Sequence, residues 1–250
     1  YTVTHGVCPR YGLDDAYRMA ACAVDEAYRA HVALGGDPER AAALDNFCWP
    51  DPVESEATPD GAAKLAALVR ACEGLSEACL AYGLPLVSGK DSMKNDARAG
   101  GRTISSIPTL LVTLAGAIDD VRKASSTDFL EEGDLVYLLG STPGALGGSM
   151  LERVDGADKR ARGEDGPSYG RAPIPDFAAA KALYATVHKG ISGRMIRSCH
   201  DLSDGGLAAA LAESCLGGRL GITARVDGLP GLDPGAPDYV ARALFAEDPS

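Results

Sequence analysis

The chain has 250 residues, of which 46% are hydrophobic and 24% charged, a composition typical of one large globular domain or of two smaller ones. Its formal net charge of −11 argues against a broad nucleic-acid footprint, which needs clustered Lys and Arg, but leaves nucleotide binding open. The longest apolar run, 107–118, is shorter than the roughly 20 residues of a membrane-spanning helix, so no membrane association is expected.

The seven cysteines are scattered and include no CxxC pair, unlike a secreted disulfide framework or a zinc site. Cys72 and Cys79 lie a heptad apart in a helical pattern, which predicts two small buried hydrophobic residues. No signal peptide is visible. We therefore expect a reducing, cytoplasmic compartment.

The first half of the chain alternates predicted helices and strands. A helix is expected over 15–34, ended by Gly35-Gly36, and a strand and turn over 41–49. A second helix is expected to take Thr58 as its N-cap and Pro59 as its first residue, and to end at Gly83. One face of it is predicted to be buried through Leu65, Leu68, Val69, Cys72, Leu75 and Cys79.

A short strand over 84–88 leads into 89–92, and a strongly apolar strand lies within 104–118. The polar stretch 119–134 is expected to contain a domain boundary. Leu135–Leu139 reads as another buried strand, followed by a glycine-rich turn over 140–149.

The segment 155–175 is rich in Gly, Pro and charge, which predicts a loop or a mobile insertion. Asp176 is expected to cap a helix that runs to about His188 and stops at Gly190. The helix that follows 200–206 runs to about Leu216 and is ended by Gly217-Gly218, after which strands and turns alternate to the end. The interleaving predicts a mixed α/β class.

The segment Val87–Ser92 is the first candidate for chemistry. A strand that ends in small residues lets the backbone approach a phosphate, while Lys90 supplies positive charge and Asp91 a hard oxygen for Mg²⁺. The spacing is not that of a P-loop, and an ordinary β-turn is the alternative.

The segment His200–Gly206 is the second candidate. Asp201 and Asp204 stand at a predicted strand-to-helix junction, where they could hold a cation that bridges to a phosphate. Alternatively, Ser203 or Asp204 merely caps the helix, and Gly205-Gly206 permits close packing. His200 is either a general base or, more commonly at such a junction, a hydrogen-bonding scaffold.

Two further features are less specific. In the glycine-rich turn, Gly144, Gly147 and Gly148 expose N–H groups that could cradle a phosphate. On the first helix, Asp25 and Glu26 read as part of a solvated face, since Arg18 and Arg29 lie near them in sequence.

Together these segments resemble a known family. The second half of phosphoribosylformylglycinamidine synthase is similar in the order and spacing of the strings Gly6-Val7-Cys8-Pro9-Arg10-Tyr11, Asp25-Glu26-Ala27, Leu44-Asp45-Asn46-Phe47-Cys48-Trp49, Ser88-Gly89-Lys90-Asp91-Ser92-Met93, Leu146-Gly147-Gly148-Ser149, His200-Asp201-Leu202-Ser203-Asp204-Gly205-Gly206-Leu207 and Leu244-Phe245-Ala246-Glu247. The resemblance spans nearly the whole chain.

The resemblance implies an α/β (α+β) fold, an AIR synthase-like unit of two domains. Residues 1–121 would form the N-terminal domain, beginning partway through it, and 122–250 the C-terminal domain, stopping before a further strand. In this family an α/β domain joins its twin through a barrel-like interface, so self-association through 84–118 is expected.

The resemblance also implies an activity. The family uses ATP to activate the amide oxygen of formylglycinamide ribonucleotide, and ammonia from a glutaminase domain or subunit then forms the amidine. This chain would be part of that ligase, with the first half of the synthase as its partner and no activity alone.

The implied site residues follow position by position. ATP or ADP would be bound by Lys90, Asp91, Ser92, Gly147, Gly148, Ser149, Asp204 and Gly205, and Mg²⁺ by Glu26 and Asp201. Where the family has an asparagine one turn after the glutamate, this chain has Ala30. No catalytic residue is assigned.

Two alternatives stay open. The chain is a non-catalytic half with a degenerate nucleotide site that supports the catalytic half and partner subunits, which Ala30 favours. Or it is a related kinase or cyclo-ligase with another small substrate, against which the string Leu44–Trp49 weighs.

Overall fold

The computed structural model of the chain describes residues 1–161 and 169–249. The strands in these ranges are β1 (Thr2–Val7), β2 (Ala41–Cys48), β3 (Leu86–Ser92), β4 (Ala97–Ala99), β5 (Arg102–Ile104) and β6 (Thr109–Gly116). The α-helices are α1 (Ala16–Ala33), α2 (Gly61–Tyr82), α3 (Met150–Ala161), α4 (Phe177–Ser192), α5 (Gly206–Gly218) and α6 (Tyr239–Phe245). The mixed α/β class predicted from the sequence is confirmed.

The four long strands form one sheet in the order β1-β6-β2-β3. β6 runs antiparallel to both β1 and β2, whereas β2 and β3 are parallel. β1 and β3 are therefore the two edges of the sheet, with two strands between them. β4 and β5 make a separate hairpin.

Helix α1 packs closely on this sheet and on α2 because small residues line both contacts. A Cβ added to Gly6 of β1 would lie 2.0 Å from the carbonyl oxygen of Ala23, and one added to Gly74 of α2 would lie 2.3 Å from that of Tyr17. The alanines of α1 leave its longer side chains free to reach the loops at the end of β1. This placement brings Glu26 and Arg29 to the candidate site.

The expected helix over 15–34 and the strands over 41–49 and 104–118 are confirmed. Asp15 caps α1 by accepting from the Tyr17 backbone N–H at 2.9 Å. In β6 the alternation buries Leu110, Val112 and Leu114 under the helices. The apolar run that is too short for a membrane thus contains β6, one of the two inner strands of the sheet.

The second helix differs from its prediction at its start and along its face. Thr58 does not cap it, because the Thr58 hydroxyl donates to the Val53 carbonyl oxygen at 2.5 Å, and the helix begins only at Gly61. Leu65, Val69 and Cys72 are exposed, so their predicted burial is wrong. The buried residues are those that touch neighbouring elements: Ala71, Gly74, Leu75, Ala78, Cys79 and Tyr82.

Strand β3 was expected to stop at Ser88 but continues to Ser92. The register pairs Asn46 with Lys90 and Phe47 with Asp91, so parallel pairing with β2 holds this segment extended. The ordinary β-turn weighed as an alternative for 89–92 is therefore wrong as well.

Leu135–Leu139 is neither a strand nor buried, contrary to the prediction. Leu135 is 77% exposed and Tyr137 73% exposed, and the sheets of the described residues all lie within 2–116. An apolar run becomes a buried strand only when another element pairs with it and covers it.

The loop expected over 155–175 is wrong for 155–161, which are helical, and is confirmed for 169–175, which are irregular. Helix α3 continues to Ala161, 162–168 lie outside the described residues, and 169–176 are irregular. The larger apolar residues of α3, Met150, Leu151 and Val154, all precede residue 155, so 155–161 shows no apolar period of its own.

Asp176 caps α4 as predicted, accepting from the Ala179 N–H at 3.1 Å, but the helix runs past Gly190 to Ser192. Helix α5 does not end before Gly217-Gly218 but extends through both. Glycine is needed at 218 for close packing, because a Cβ there would lie 2.0 Å from the Phe129 carbonyl oxygen. Beyond it, the expected strands are not observed in 219–249, where α6 forms instead.

None of the helices in the described part of the chain is long and apolar enough to cross a membrane. The seven cysteines are all free thiols. Cys79 is buried as predicted.

Candidate functional site

Three distant parts of the chain meet at Arg10 and Tyr11, just after β1. The Arg10 Nε donates to the Gly148 carbonyl oxygen at 2.8 Å, and its Nη2 donates to the Asp204 Oδ1 at 2.9 Å. The Tyr11 hydroxyl donates to the Glu247 Oε2 at 3.0 Å. The structure thus brings together Gly147, Gly148, Ser149, Asp204 and Gly205, which the sequence assigned to a phosphate site.

Glu247 lies at the centre of this convergence and was not assigned by the sequence. Its Oε1 accepts from the backbone N–H of Met150 at 2.8 Å and from that of Gly205 at 2.7 Å. Burial raises the pKa of this carboxyl, against the lowering effect of those amides and of Tyr11. Only the string Leu244–Glu247 in the family resemblance could have drawn attention to it.

The turn before α3 depends on glycine. Gly148 has φ of +75°, and a Cβ there would lie 2.6 Å from the Tyr11 Cδ1. The buried Ser149 caps α3, since the Glu152 N–H donates to the Ser149 Oγ at 3.2 Å. The Glu152 Oε2 accepts from the Gly148 N–H, one residue before the cap, at 2.6 Å. The amides that would cradle a phosphate here are therefore held by carboxylates of the chain itself.

Glu26 connects β1 to the loop before α5. Its Oε2 accepts from the Val7 N–H at 2.8 Å and from the Cys8 thiol at 3.4 Å, while its Oε1 accepts from the Ser203 hydroxyl. Burial, assisted by Glu26, raises the pKa of the Cys8 thiol well above its usual value. Cys8 is accordingly a neutral hydrogen-bond donor.

Asp201 lies in the same loop as Ser203. His200 contacts the Asp201 carbonyl oxygen through Nδ1 at 2.7 Å and the Glu213 carboxylate through Nε2 at 2.9 Å. Both ring nitrogens are engaged with neighbours of the loop, which favours the scaffold interpretation of His200. Across 1–161 and 169–249, no group of three or more His, Cys, Asp or Glu is placed to hold a metal ion.

Lys90, Asp91 and Ser92 lie elsewhere. They belong to the edge strand β3, where the Lys90 ammonium donates to the Ser92 Oγ at 2.7 Å. Burial raises the pKa of the neighbouring Asp45, and the Asp91 carboxylate adds to the effect. The residues assigned to nucleotide binding therefore form two groups at opposite edges of the sheet.

The solvated face predicted for Asp25 is wrong. Asp25 is 0% exposed and pairs with the Arg29 guanidinium, and its Oδ1 accepts from the hydroxyls of Tyr82 and Tyr184, the latter at 2.9 Å. Arg29 Nη2 donates to the Leu202 carbonyl oxygen at 2.6 Å. The buried pair therefore holds the loop 200–206 against α1.

A cavity of about 620 Å³ lies behind that loop, between α1, α4 and the segments 127–139 and 195–202. Its wall is mainly apolar, with Arg29, Tyr184 and Asp201 among the polar exceptions. It does not reach the glycine turns, nor Glu26 and Glu247, and these two carboxylates line a separate and much smaller void together with Tyr11 and Asp204. Glu26, Glu247 and the glycine turns thus lie outside the larger cavity, whereas Asp201 lines it.

Two family models match the chain. The one described as "AIR synthase related protein, N-terminal domain" matches residues 2–118, and the one described as "AIR synthase related protein, C-terminal domain" matches 131–248. The domain boundary near residue 121 stays a prediction.

Among curated proteins, the phosphoribosylformylglycinamidine synthase subunit PurL of Gloeobacter violaceus is 35% identical over 216 residues, 86% of this chain and 26% of that protein. The chain thus spans about a quarter of the length of that relative.

Solved structures show the same fold. Thermotoga maritima PurL complexed with FGAR matches 99% of this chain and 36% of its own, with a TM-score of 0.67 at 17% identity. Its complex with ATP matches 98% and 34%, with 0.63 at 16% identity. Thiamine monophosphate kinase from Aquifex aeolicus matches 99% and 76%, with 0.52 at 16% identity.

Proposed function

The chain belongs to the AIR synthase related protein family, and we propose that it is part of a phosphoribosylformylglycinamidine synthase. The reaction would be the ATP-dependent amidation of formylglycinamide ribonucleotide in purine biosynthesis. The observation that carries the proposal is the convergence of the turns 147–149 and 204–205 on Arg10 and Tyr11. Each turn leads into a helix N-terminus, whose positive dipole end favours phosphate. The N–H groups of Gly148, Met150 and Gly205 are held by Glu152 and Glu247 and would position the turns without themselves binding phosphate.

The proposed nucleotide site uses these turns for phosphate. Gly148 and Gly205 permit the close backbone approach, and Arg10 adds positive charge beside them. A relative with this fold binds ATP, as the Thermotoga complex shows for that protein. Lys90, Asp91 and Ser92 lie across the sheet, so we assign them to a part of the site completed by another unit of the enzyme.

Glu26 and Asp201 are the residues that would hold Mg²⁺. Their carboxylates are hard oxygen ligands of the kind that Mg²⁺ prefers, and Ser203 places Glu26 beside the loop that carries Asp201. The ion would neutralise phosphate charge when bound. Ala30, one helical turn after Glu26, has no side-chain atom that could bind a metal ion. The two metal ligands that we propose for this chain are therefore the carboxylates of Glu26 and Asp201.

A non-catalytic function is the second candidate, and the hydrogen bonds of Glu26 favour it. Both of its oxygens already accept from the chain, as a structural carboxylate would. In this alternative the chain stabilises the catalytic half and docks partner subunits. The effect of added nucleotide on the melting temperature distinguishes the two candidate functions.

Nucleotide should raise the thermal stability of the chain. ADP or ATP at about 100 times its dissociation constant adds about 2.7 kcal/mol to the free energy of unfolding, and with Mg²⁺ the gain should depend on Asp201. We expect the Mg²⁺-dependent part of the shift in melting temperature to disappear in Asp201→Asn. Asp227→Asn, an exposed aspartate outside the site, serves as the control.

The absence of any shift with either nucleotide would contradict the proposal and favour the structural alternative. Amidation of formylglycinamide ribonucleotide by this chain alone would contradict its assignment as one part of a larger enzyme. A first half of the synthase and a glutaminase domain or subunit are the partners that we propose. We place the assembly in the cytoplasm, which cell fractionation would check.

We propose that the self-association expected through 84–118 uses the face of the sheet opposite α1, to which β3 and β6 of that range contribute beside β1. α1 packs on one face of β1, and the opposite face presents Val3, 72% exposed, together with His5 and Val7. Such an apolar face is typical of an interface. We expect a dimer in sedimentation equilibrium and a monomer for Val3→Lys, whereas Val69→Lys, at an exposed site on α2, should leave the dimer intact. A monomeric unmodified chain would contradict this proposal.

A further inference from the structure

Glu247 is a buried carboxylate whose hydrogen bonds join distant parts of the chain. It is 4% exposed, and it joins three segments that are far apart in sequence: Tyr11, the start of α3 at Met150, and Gly205 before α5. Arg10 Nη2 lies 3.9 Å from its Oε2 and provides the nearby positive charge. One side chain therefore connects both glycine turns to the end of β1.

Its neighbour Asp248 is similarly buried but is hydrogen-bonded to only one distant turn. It accepts from the Thr142 hydroxyl at 2.7 Å, from the Gly144 N–H at 2.6 Å and from the Ala145 N–H at 3.1 Å. These donors all belong to one turn, residues 142–145. The two adjacent carboxylates thus have similar burial and similar numbers of hydrogen bonds, and differ in what they join.

The amides that Glu247 holds are those of the two turns. Met150 is the first residue of α3 and Gly205 immediately precedes α5, and one oxygen accepts from both. The separation of the two helix N-termini is consequently set by a single atom. A phosphate held between the turns would require that separation to be fixed before binding, because mobile donors would have to be ordered first.

We propose that Glu247 is a positioning residue that fixes the turns 147–149 and 204–206 relative to each other and to Arg10 and Tyr11. It acts through the backbone amides and does not itself contact the nucleotide. The consequence for affinity rests on the proposed function, since the two turns are the proposed phosphate site. The placement of the turns does not rest on it and is measured without ligand.

The test compares Glu247→Ala with Asp248→Ala, which deletes a matched carboxylate, and with Glu247→Gln. Glutamine keeps a carbonyl oxygen for the two amides, and its NH₂ group donates to the Tyr11 hydroxyl in place of accepting from it. Amide hydrogen exchange at Met150 and Gly205 reports the turns, and calorimetric titration with ADP and Mg²⁺ reports affinity. Should Glu247→Ala not fold, Glu247→Asp, shorter by one methylene, replaces it.

We expect Glu247→Ala to exchange both amides at least about tenfold faster and to bind ADP about tenfold more weakly. Glu247→Gln should restore both quantities, and Asp248→Ala should change neither. Unchanged exchange in Glu247→Ala, equal effects in Asp248→Ala, or tighter ADP binding in either Glu247 variant would overturn the inference. If the unmodified chain binds no ADP, the proposed function fails, and the exchange rates alone still decide whether Glu247 fixes the turns.

Discussion

Replacing Asp25 with alanine should lower the free energy of unfolding by about 3–5 kcal/mol, because it leaves the Arg29 guanidinium charged and unpaired inside the protein. Asp25 is 0% exposed, and besides Arg29 it accepts from the hydroxyls of Tyr82 and Tyr184. Burial raises the pKa of Asp25 in spite of these partners. Removal of the Asp25 carboxylate would leave one charge and two hydroxyl groups without their partner at the junction of α1, α2 and α4.

The matched control is Asp238→Ala. Asp238 pairs with Arg242 at the same i, i+4 spacing, at 2.8 Å, but both side chains are partly exposed. Solvent screening limits such a pair to about 0.5 kcal/mol. Urea denaturation monitored by circular dichroism would give both values, and similar losses for the two variants would refute the distinction between the buried and the exposed pair.

Replacing Trp49 with alanine should cost about 3–5 kcal/mol in the free energy of unfolding. Trp49 is completely buried, its ring meets Phe47 edge-on at 5.8 Å, and its indole N–H donates to the Lys64 carbonyl oxygen at 3.0 Å. The substitution opens a cavity between β2 and α2 that the rigid sheet does not fill. Denaturant unfolding followed by circular dichroism would measure the loss, since the variant has no tryptophan left for fluorescence.

Two further substitutions separate ring volume from hydrogen bonding at this position. Trp49→Phe keeps an aromatic ring but leaves the Lys64 carbonyl without its donor, so a smaller loss of about 1–3 kcal/mol is expected. Tyr137→Ala, at an exposed aromatic residue, should change stability by no more than about 0.5 kcal/mol. A tolerated Trp49→Ala would mean that this part of the core repacks.

The effect at Trp49 bears on how the family string should be understood. Leu44–Trp49 identified the family, yet its aromatic members Phe47 and Trp49 are core residues of β2 and of the turn after it. A string that is distinctive in sequence is therefore not necessarily a binding site. The residues nearest the proposed chemistry lie in shorter and less distinctive strings.

Local pattern was enough to predict α1, β2, β6 and α4 and the mixed class, because caps, glycine ends and apolar periods act over a few residues. It was also enough to mark the turns 147–149 and 204–205, where glycine permits positive φ. The same reasoning failed for Leu135–Leu139 and for Asp25. In both cases burial depends on which elements of the fold pack against the residue, and the local sequence does not contain that information.

The assembly of the site was decided by tertiary structure. Arg10 meets Asp204 across 194 positions of sequence, and Tyr11 meets Glu247 across 236. Those pairings arise because small residues let α1 lie directly on β1, which carries Arg10 and Tyr11 to the N-termini of α3 and α5. Hydrogen bonds between distant segments depend on the packing of whole helices and strands, and no local spacing in the chain encodes them.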